Sequence, residues 1–454
     1  MNKSEKPPVR LGFIGLAALT FGMMVGAGIF NIPQNMAVGA GAGAVILSWL
    51  ITAAGMLLLV FTFKRLTELR PDLDAGIYQY SAAGFGPFMG FNMAWGYWLC
   101  TAFANVAYAV MLNDTVGAFF PELLKHGWAT LIFGVALIWL YYYIVASGMK
   151  TAKVLTVVLS VVKIAAILLI IALLGANFHY GIFELGDLTD SSGLLTQIKS
   201  TMLVTLWCFI GIEGASMMSG RAKRSKDIGK ATVAGFFAAW VLYFVVSVFC
   251  YGVMSWGELA GLEDPSVAYC LREVIGPWAY WLVILSVIIS LGGGWVAWTL
   301  VCAEVPYAAA RVKIFPHSFL RLNSHGMPAY GLGISSVVMT LFLLLVMTAD
   351  DLYLSALNIT GMMILPCYLL CGVYLLKTDR SIAGRLIGAG CTLFCGWMIY
   401  SGGLDLFIET SLFYLPGLTF YVPAQRQLGA RLFSRGERIG LSVLILAAGY
   451  SLFF

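Results

Sequence analysis

Twelve long apolar runs, separated by short clusters of charge, leave this 454-residue chain very few ways to fold. The runs lie at 11–33, 43–63, 88–113, 128–147, 154–175, 200–220, 231–255, 277–305, 329–348, 352–376, 386–403 and 405–422, with a shorter one at 439–454. A segment that spans a bilayer needs ~20 apolar residues as a helix and must satisfy its own backbone hydrogen bonds, so the choice is between helices and a closed barrel. These runs are continuously apolar and far longer than the ~10-residue alternating strands of a barrel, so the fold class they predict is an all-α polytopic membrane protein of 12 transmembrane helices. The overall balance agrees. Apolar residues make up 60% and charged residues 11% of the chain, against ~45–50% and ~25% in soluble domains. That excludes a soluble enzyme and a disordered chain.

The charges set the orientation. Of the 27 Lys and Arg, 23 fall in the N-terminal tail and in alternate connections on its side of the membrane. Only Lys125, Lys199 and Arg272 fall on the other side, and Lys163 lies inside a run. Positive charge marks the cytoplasmic face, so we expect a multi-pass protein of a bacterial-type inner (plasma) membrane with a cytoplasmic N-terminus. The acidic connection holding Glu184, Asp187 and Asp190 suits the outer side. The first run follows Lys3, Lys6 and Arg10, but it is long, has no clear small-residue cleavage site and precedes eleven more runs, so we read it as a span and not as a secretory leader. The final 16-residue run amounts to only ~24 Å of helix, short for a ~30 Å core, and is a possible thirteenth span.

Glycine-rich stretches interrupt two runs near their middles: Phe21-Gly22-Met23-Met24-Val25-Gly26-Ala27-Gly28 in the first, and Phe209-Ile210-Gly211-Ile212-Glu213-Gly214-Ala215-Ser216 in the sixth. Glycine in a membrane helix commonly serves close packing. Here the two interruptions occupy corresponding places if runs one to five and six to ten form a five-plus-five inverted repeat, and matching broken helices point to a transporter's midplane site. We accordingly divide the chain into a tail at 1–10, repeat 1 at 11–175, repeat 2 at 200–376 and accessory spans at 377–454. Unwound backbone frees N–H groups suited to a carboxylate and carbonyls suited to an ammonium, the two ends of an α-amino acid head group.

A charge at mid-membrane is costly and needs a reason. Glu213 sits within the second glycine stretch. A carboxyl there is a candidate for coupling substrate movement to protonation, or for countering a cationic substrate. Lys163 lies well inside the fifth run, deeper than a snorkelling lysine sits comfortably. An ammonium fixed there would take the place that sodium fills in sodium-driven carriers. Glu304, near the inner end of the eighth run, suits a structural or gating contact, and Asn105 and Asn358 suit either interhelical bonds or ligand. The four histidines, His126, His179, His317 and His325, all fall between runs. That argues against haem, zinc or an intramembrane histidine enzyme, and we expect no metal and no cofactor. Eight of nine cysteines lie in apolar runs, with Cys270 placed in an outer loop, and they read as small buried residues. Among the aromatics, Trp128, Trp256 and Tyr414 fit an interface belt. Trp207 and Trp298 are mid-span near the breaks, where an indole face stacks on a guanidinium or packs in the core.

Taken together, several segments carry a family resemblance: Gly26-Ala27-Gly28-Ile29-Phe30 with Pro33; Arg70-Pro71 through Gly76-Ile77-Tyr78; Gly90-Phe91 through Trp95-Gly96-Tyr97-Trp98-Leu99; Thr205-Leu206-Trp207 through Gly214-Ala215; and Trp298-Thr299 through Phe315-Pro316. In this order the chain resembles the amino acid–polyamine–organocation superfamily. Within it, the chain looks like the basic amino acid/polyamine antiporters, the group with arginine/ornithine and arginine/agmatine exchangers. The resemblance implies a substrate head group held by the Met24, Val25, Gly26, Ala27 and Gly28 backbone. It implies further substrate contacts at Asn105, Trp207, Ile210 and Trp298, a proton-sensing role for Glu213 and a gating role for Tyr97. For the distal cationic group it offers Cys100, Thr101 and Thr360 by position. Two departures stand out: Ala27 replaces a serine of the arginine/agmatine exchangers, and Lys163 is similar to a lysine of proton-linked members elsewhere in the superfamily.

The expected function is therefore exchange of a cationic amino acid, foremost arginine, for ornithine or agmatine. Proton-coupled symport and other pairs, such as those of lysine or histidine, stand as alternatives. The expected partners are the small-molecule substrates, the bilayer and a second copy in a homodimer, with no nucleic acid. No ring of pore charges or repeated filter loop favours a channel.

Overall fold

The computed structural model describes residues 12–73, 75–186, 190–214, 223–349, 351–429 and 431–453. The tail 1–10, Asp187 and the Ala215-Ser216 end of the second glycine stretch lie outside them. Among the described residues every regular element is a helix or a 3₁₀ turn, with no strand. In chain order the helices are α1 (Phe13–Met24), α2 (Ile32–Ala37), α3 (Ala42–Leu69), α4 (Tyr78–Phe85), α5 (Pro87–Gly117), α6 (Trp128–Ala146), α7 (Met149–Ala176), α8 (Ser191–Trp207), α9 (Ser225–Tyr251), α10 (Trp256–Ala260), α11 (Ser266–Ile275), α12 (Pro277–Arg311), α13 (Ala329–Val346), α14 (Leu352–Thr378), α15 (Ile382–Gly402), α16 (Leu404–Glu409), α17 (Ser411–Tyr414), α18 (Leu418–Gln427) and α19 (Arg435–Phe453).

Seven of the described helices (α3, α6, α9, α12, α13, α14 and α15) are long and apolar enough to cross a membrane. Breaks cut short the helices of the first and sixth runs, and α5 carries Asn92, Asn105 and Asn113 along its length. The chain is a multi-pass membrane protein.

The two halves repeat one order of parts. A broken helix (α1/α2, then α8) is followed by a long one (α3, then α9). A short helix comes next (α4, then α11), and then a helix that starts at Gly-Pro-aromatic (Gly86-Pro87-Phe88 for α5, Gly276-Pro277-Trp278 for α12). Proline at the first helical position costs no hydrogen bond, and its fixed φ starts the helix. The central helix α5 packs against α12 and α14, α1 against α9, and α7 against α12. Each break thereby faces helices of the other half.

Small residues permit this closeness. A Cβ built on Gly388 of α15 would lie 2.9 Å from the Gly372 carbonyl oxygen and 3.0 Å from the Leu376 nitrogen of α14. Both are backbone atoms with nowhere to go. Overpacking of this kind costs about 1–3 kcal/mol. Gly388→Ala should therefore lower the melting temperature of detergent-solubilised protein by several degrees, and an unchanged melting curve would mean that α14 and α15 separate freely.

The apolar run 405–422 holds α16, α17, a 3₁₀ turn at Leu415–Gly417 and α18 in succession, with helical backbone at the junctions Thr410, Leu415 and Gly417. Two expectations need correction. Cys270 is not in a loop. It lies on the strongly amphipathic α11 and is buried, as are the other eight cysteines, all free thiols. Tyr414 is not at the interface either. It is only 8% exposed, donates to the Met363 carbonyl (3.3 Å) and covers Gly96. Trp128 and Trp256 are 78% and 45% exposed. The C-terminal helix α19 starts four residues before the apolar run. Its 19 residues amount to ~28 Å, and Glu437 near its start accepts from the Phe88 and Ser434 N–H groups (3.0 and 2.7 Å).

Candidate functional site

Helix α1 stops at Met24 because Val25 and Gly26 turn into extended backbone. A 3₁₀ turn over Ala27–Phe30 then leads into α2. Backbone groups freed this way need partners inside the protein. The Met24 carbonyl accepts from the Tyr243 hydroxyl of α9 (2.8 Å), whose oxygen also lies 3.4 Å from the Gly26 N–H. The Val25 carbonyl accepts from the ammonium of Lys163, which reaches in from α7 and is 2% exposed. Two side chains from two helices thus hold the break open.

The sixth run breaks directly after Trp207. Hydrogen-bonded turns carry the chain from Cys208 through Gly211, where φ is +104°. That conformation suits glycine, and space demands it too: a Cβ on Gly211 would lie 3.1 Å from the carbonyl carbon of Met23. The two breaks therefore touch. Beyond Gly211, the Glu213 carboxylate accepts from the Tyr97 hydroxyl (2.6 Å), the Tyr368 hydroxyl (2.7 Å) and the Gly211 N–H (3.2 Å). This knot joins α5, α14 and the second break in a fully buried setting.

Between the breaks lies a small cavity. Met23, Met24, Gly26 and Gly28 wall it from the first broken helix, Trp207 and Ile210 from the second, and Ala104, Tyr108, Tyr243 and Trp298 from α5, α9 and α12. Its free volume is about 10 Å³, roughly what a single water requires. Glycine is needed on its wall: a Cβ on Gly26 would stand 2.6 Å from the Tyr108 hydroxyl oxygen. On Gly28 it would stand 3.1 Å from Trp207 Nε1 and 3.2 Å from the Tyr353 hydroxyl oxygen. Trp207 and Tyr353 thus both stand close against Gly28.

The cavity unites Met24, Gly26, Gly28, Trp207, Ile210 and Trp298 from the residues expected to bind substrate. Val25 and Ala27 are buried but not on its wall. Asn105 is committed to the protein: it donates to the Thr101 carbonyl (2.6 Å) and accepts from the Thr299 hydroxyl (2.9 Å). Thr101 and Thr360 donate to helix carbonyls within their own helices, and Cys100 is buried off the wall. Tyr97 and Glu213, expected to gate or couple, meet directly; Lys163 meets the other break. The sequence reading missed Met23, Ala104, Tyr108, Tyr243, Tyr353 and Tyr368. Ala104 and Tyr108 stand four residues apart on one face of α5, beside Asn105, so helical spacing was a usable signal for them. For the tyrosines of α9 and α14 nothing in the apolar pattern set them apart.

Two facing helix breaks around a backbone-lined central cavity, on a repeated five-helix plan, define a membrane transporter. The chain belongs to the amino acid permease family, whose sequence model matches residues 11–427. A Clostridium perfringens protein provisionally named an amino-acid transporter is 38% identical over 482 aligned residues, covering 99% of this chain and 98% of that one. The arginine/agmatine antiporter of Chlamydia pneumoniae is 36% identical over 480, covering 100% and 98%, and that of Chlamydia abortus is 37% identical over 448, covering 94% and 92%. Among solved structures the chain is similar to MHP1, a nucleobase-cation-symport-1 family transporter, in a closed conformation with bromovinylhydantoin bound. The TM-score is 0.55 and identity 16%, over 96% of this chain and 98% of that one. This likeness is one of fold.

Proposed function

We propose that the protein is an inner-membrane antiporter, N-terminus in the cytoplasm, that takes in arginine and releases agmatine or ornithine. The observation that carries this reading is the cavity wall: unwound backbone at Met24, Gly26 and Gly28 for an amino acid head group, between two indoles, Trp207 and Trp298, suited to a guanidinium. The names of the Chlamydia relatives support the pair. No covalent chemistry is needed. Repeat 1 (11–175) and repeat 2 (200–376) rock about the site, with 377–454 as accessory helices and a homodimer as the assembly. An arginine exceeds the space of one water, so loading requires Trp207 and Tyr353 to swing away, while release to the other side requires the Tyr97–Glu213–Tyr368 knot to part. Binding biases which of these closures opens.

The test is radiolabelled arginine uptake into proteoliposomes preloaded with nothing, ornithine, agmatine, lysine or histidine. Uptake confined to agmatine- or ornithine-loaded vesicles is expected; equal uptake into empty vesicles would overturn strict exchange. One observation favours a second reading, proton-coupled symport: the Lys163 ammonium is bound to the Val25 carbonyl at the break itself. Under that reading a pH gradient drives uptake into empty vesicles, and Lys163→Gln abolishes the pH-driven part. A variant that keeps it would remove Lys163 from the mechanism.

A further inference from the structure

Each backbone group freed in a membrane needs a partner, and a carbonyl oxygen has two lone pairs to offer. At the Met24 carbonyl both are taken: the Gly26 N–H donates at 3.0 Å and the Tyr243 hydroxyl at 2.8 Å. Met24 and Tyr243 both wall the central cavity. The Val25 carbonyl, held by Lys163, belongs to a residue off that wall. A cavity-wall carbonyl of the first break, the place expected for a substrate ammonium, thus already carries a donor of the protein's own. We propose that the Tyr243 hydroxyl is a placeholder for that ammonium: it holds the Met24 carbonyl until an α-ammonium replaces it, and reclaims the carbonyl as the substrate leaves. The proposal deepens the exchange reading above and rests on it for the substrate; the doubly occupied carbonyl does not depend on it.

Of the two donors, the hydroxyl is the one free to yield. The Gly26 N–H is fixed by the bend of the break itself. The Tyr243 O–H turns about one C–O bond, and its oxygen lies 3.4 Å from the Gly26 N–H, so it keeps a partner as an acceptor after it stops donating. The ring stays in place meanwhile. It stacks on Trp49 of α3 (centroids 6.0 Å apart, 13° between planes) and meets Phe209 of the second break edge-on at 6.3 Å. An ammonium donates a stronger, charge-assisted bond than a neutral hydroxyl does, so the replacement runs toward substrate. It gains less than filling a free lone pair would, because one bond is broken for the one made. The hydroxyl therefore lowers affinity and eases release, which a carrier that lets go on every cycle requires. It also tells ligands apart: only one that brings an ammonium to Met24 meets the competition.

The test is Tyr243→Phe in the full-length protein. Binding to detergent-solubilised protein is measured for whichever of arginine, ornithine, lysine and histidine the wild type binds, for agmatine, and for the α-deamino analogue of that amino acid. The Kd of the amino acid and of agmatine should fall about three- to tenfold, and that of the deamino analogue should stay within about twofold. In proteoliposomes KM and kcat for exchange should fall together, as release slows. A hydroxyl that only supported the fold would weaken all three ligands on removal, and one that bound the ammonium directly would weaken the first two. A Kd for the amino acid that rises or holds therefore overturns the proposal, as does a deamino analogue that tightens equally. If the phenylalanine variant does not fold, 4-aminophenylalanine at position 243 supplies the readout. Its N–H still reaches for the Met24 carbonyl but is a weaker donor and its nitrogen a poorer acceptor, so the amino acid should bind roughly twofold more tightly; unchanged or weaker binding overturns the proposal. Tighter binding in a protein that fails to exchange upholds the placeholder and overturns the exchange reading, and exchange with unshifted affinities does the opposite. A wild type that binds none of the four amino acids overturns both.

Discussion

Gly26→Ala should depress arginine exchange roughly ten- to hundredfold, and adding Tyr108→Phe should restore most of it. The new methyl would stand 2.6 Å from the Tyr108 hydroxyl oxygen, while the next Tyr108 atom is 3.5 Å away, an ordinary contact. Removing that one oxygen therefore removes the clash. Tyr108 has little room to retreat, since it is buried and meets Trp207 edge-on at 6.4 Å. Overpacking costs of about 1–3 kcal/mol translate to that loss at ~1.4 kcal/mol per tenfold. Exchange rates of the single and double variants, compared with Tyr108→Phe alone, check the claim. A double variant no better than Gly26→Ala would show that the backbone conformation at Gly26, and not the space above it, is what glycine supplies.

The second large effect concerns Glu213. Its carboxylate accepts from two tyrosine hydroxyls and a backbone N–H. Glutamine keeps one acceptor oxygen but turns a donor toward donors already in place, and it removes the titrating group altogether. Transport by the wild type should change about tenfold over a pH unit or two as one proton binds, and Glu213→Gln should flatten that curve. Tyr97→Phe and Tyr368→Phe should each shift the curve without flattening it, because they alter the partners of the group but leave the group. A Glu213→Gln profile superimposable on the wild type rejects the coupling role.

The sequence made the scaffold legible because a bilayer imposes length and hydropathy on every span. The breaks were legible because glycine clusters seldom fall mid-span twice at matching places. What stayed hidden follows from the same physics. An apolar run records that a segment avoids water, not which neighbour it meets, so Tyr243, Tyr353 and Tyr368 looked like any other aromatics in their runs. Tyr414 was read as a belt residue although it stands in the middle of its run, and Gly96 leaves a hollow that takes it inside. Asn105 was legible as a buried amide; its partner Thr299 lies 194 residues away, and single-sequence reading has no access to such pairs.

The one-water cavity also bears on electrical insulation. A membrane at 100 mV drives each elementary charge with ~2.3 kcal/mol, and any continuous file of water through a carrier is a short circuit. Here the cavity between the breaks has room for about one water, with the Trp207 ring on its wall and the buried Tyr97–Glu213–Tyr368 knot just beyond Gly211. Room for a single water supplies no such file, so a cavity of this size carries no continuous leak of its own across the low-dielectric interior.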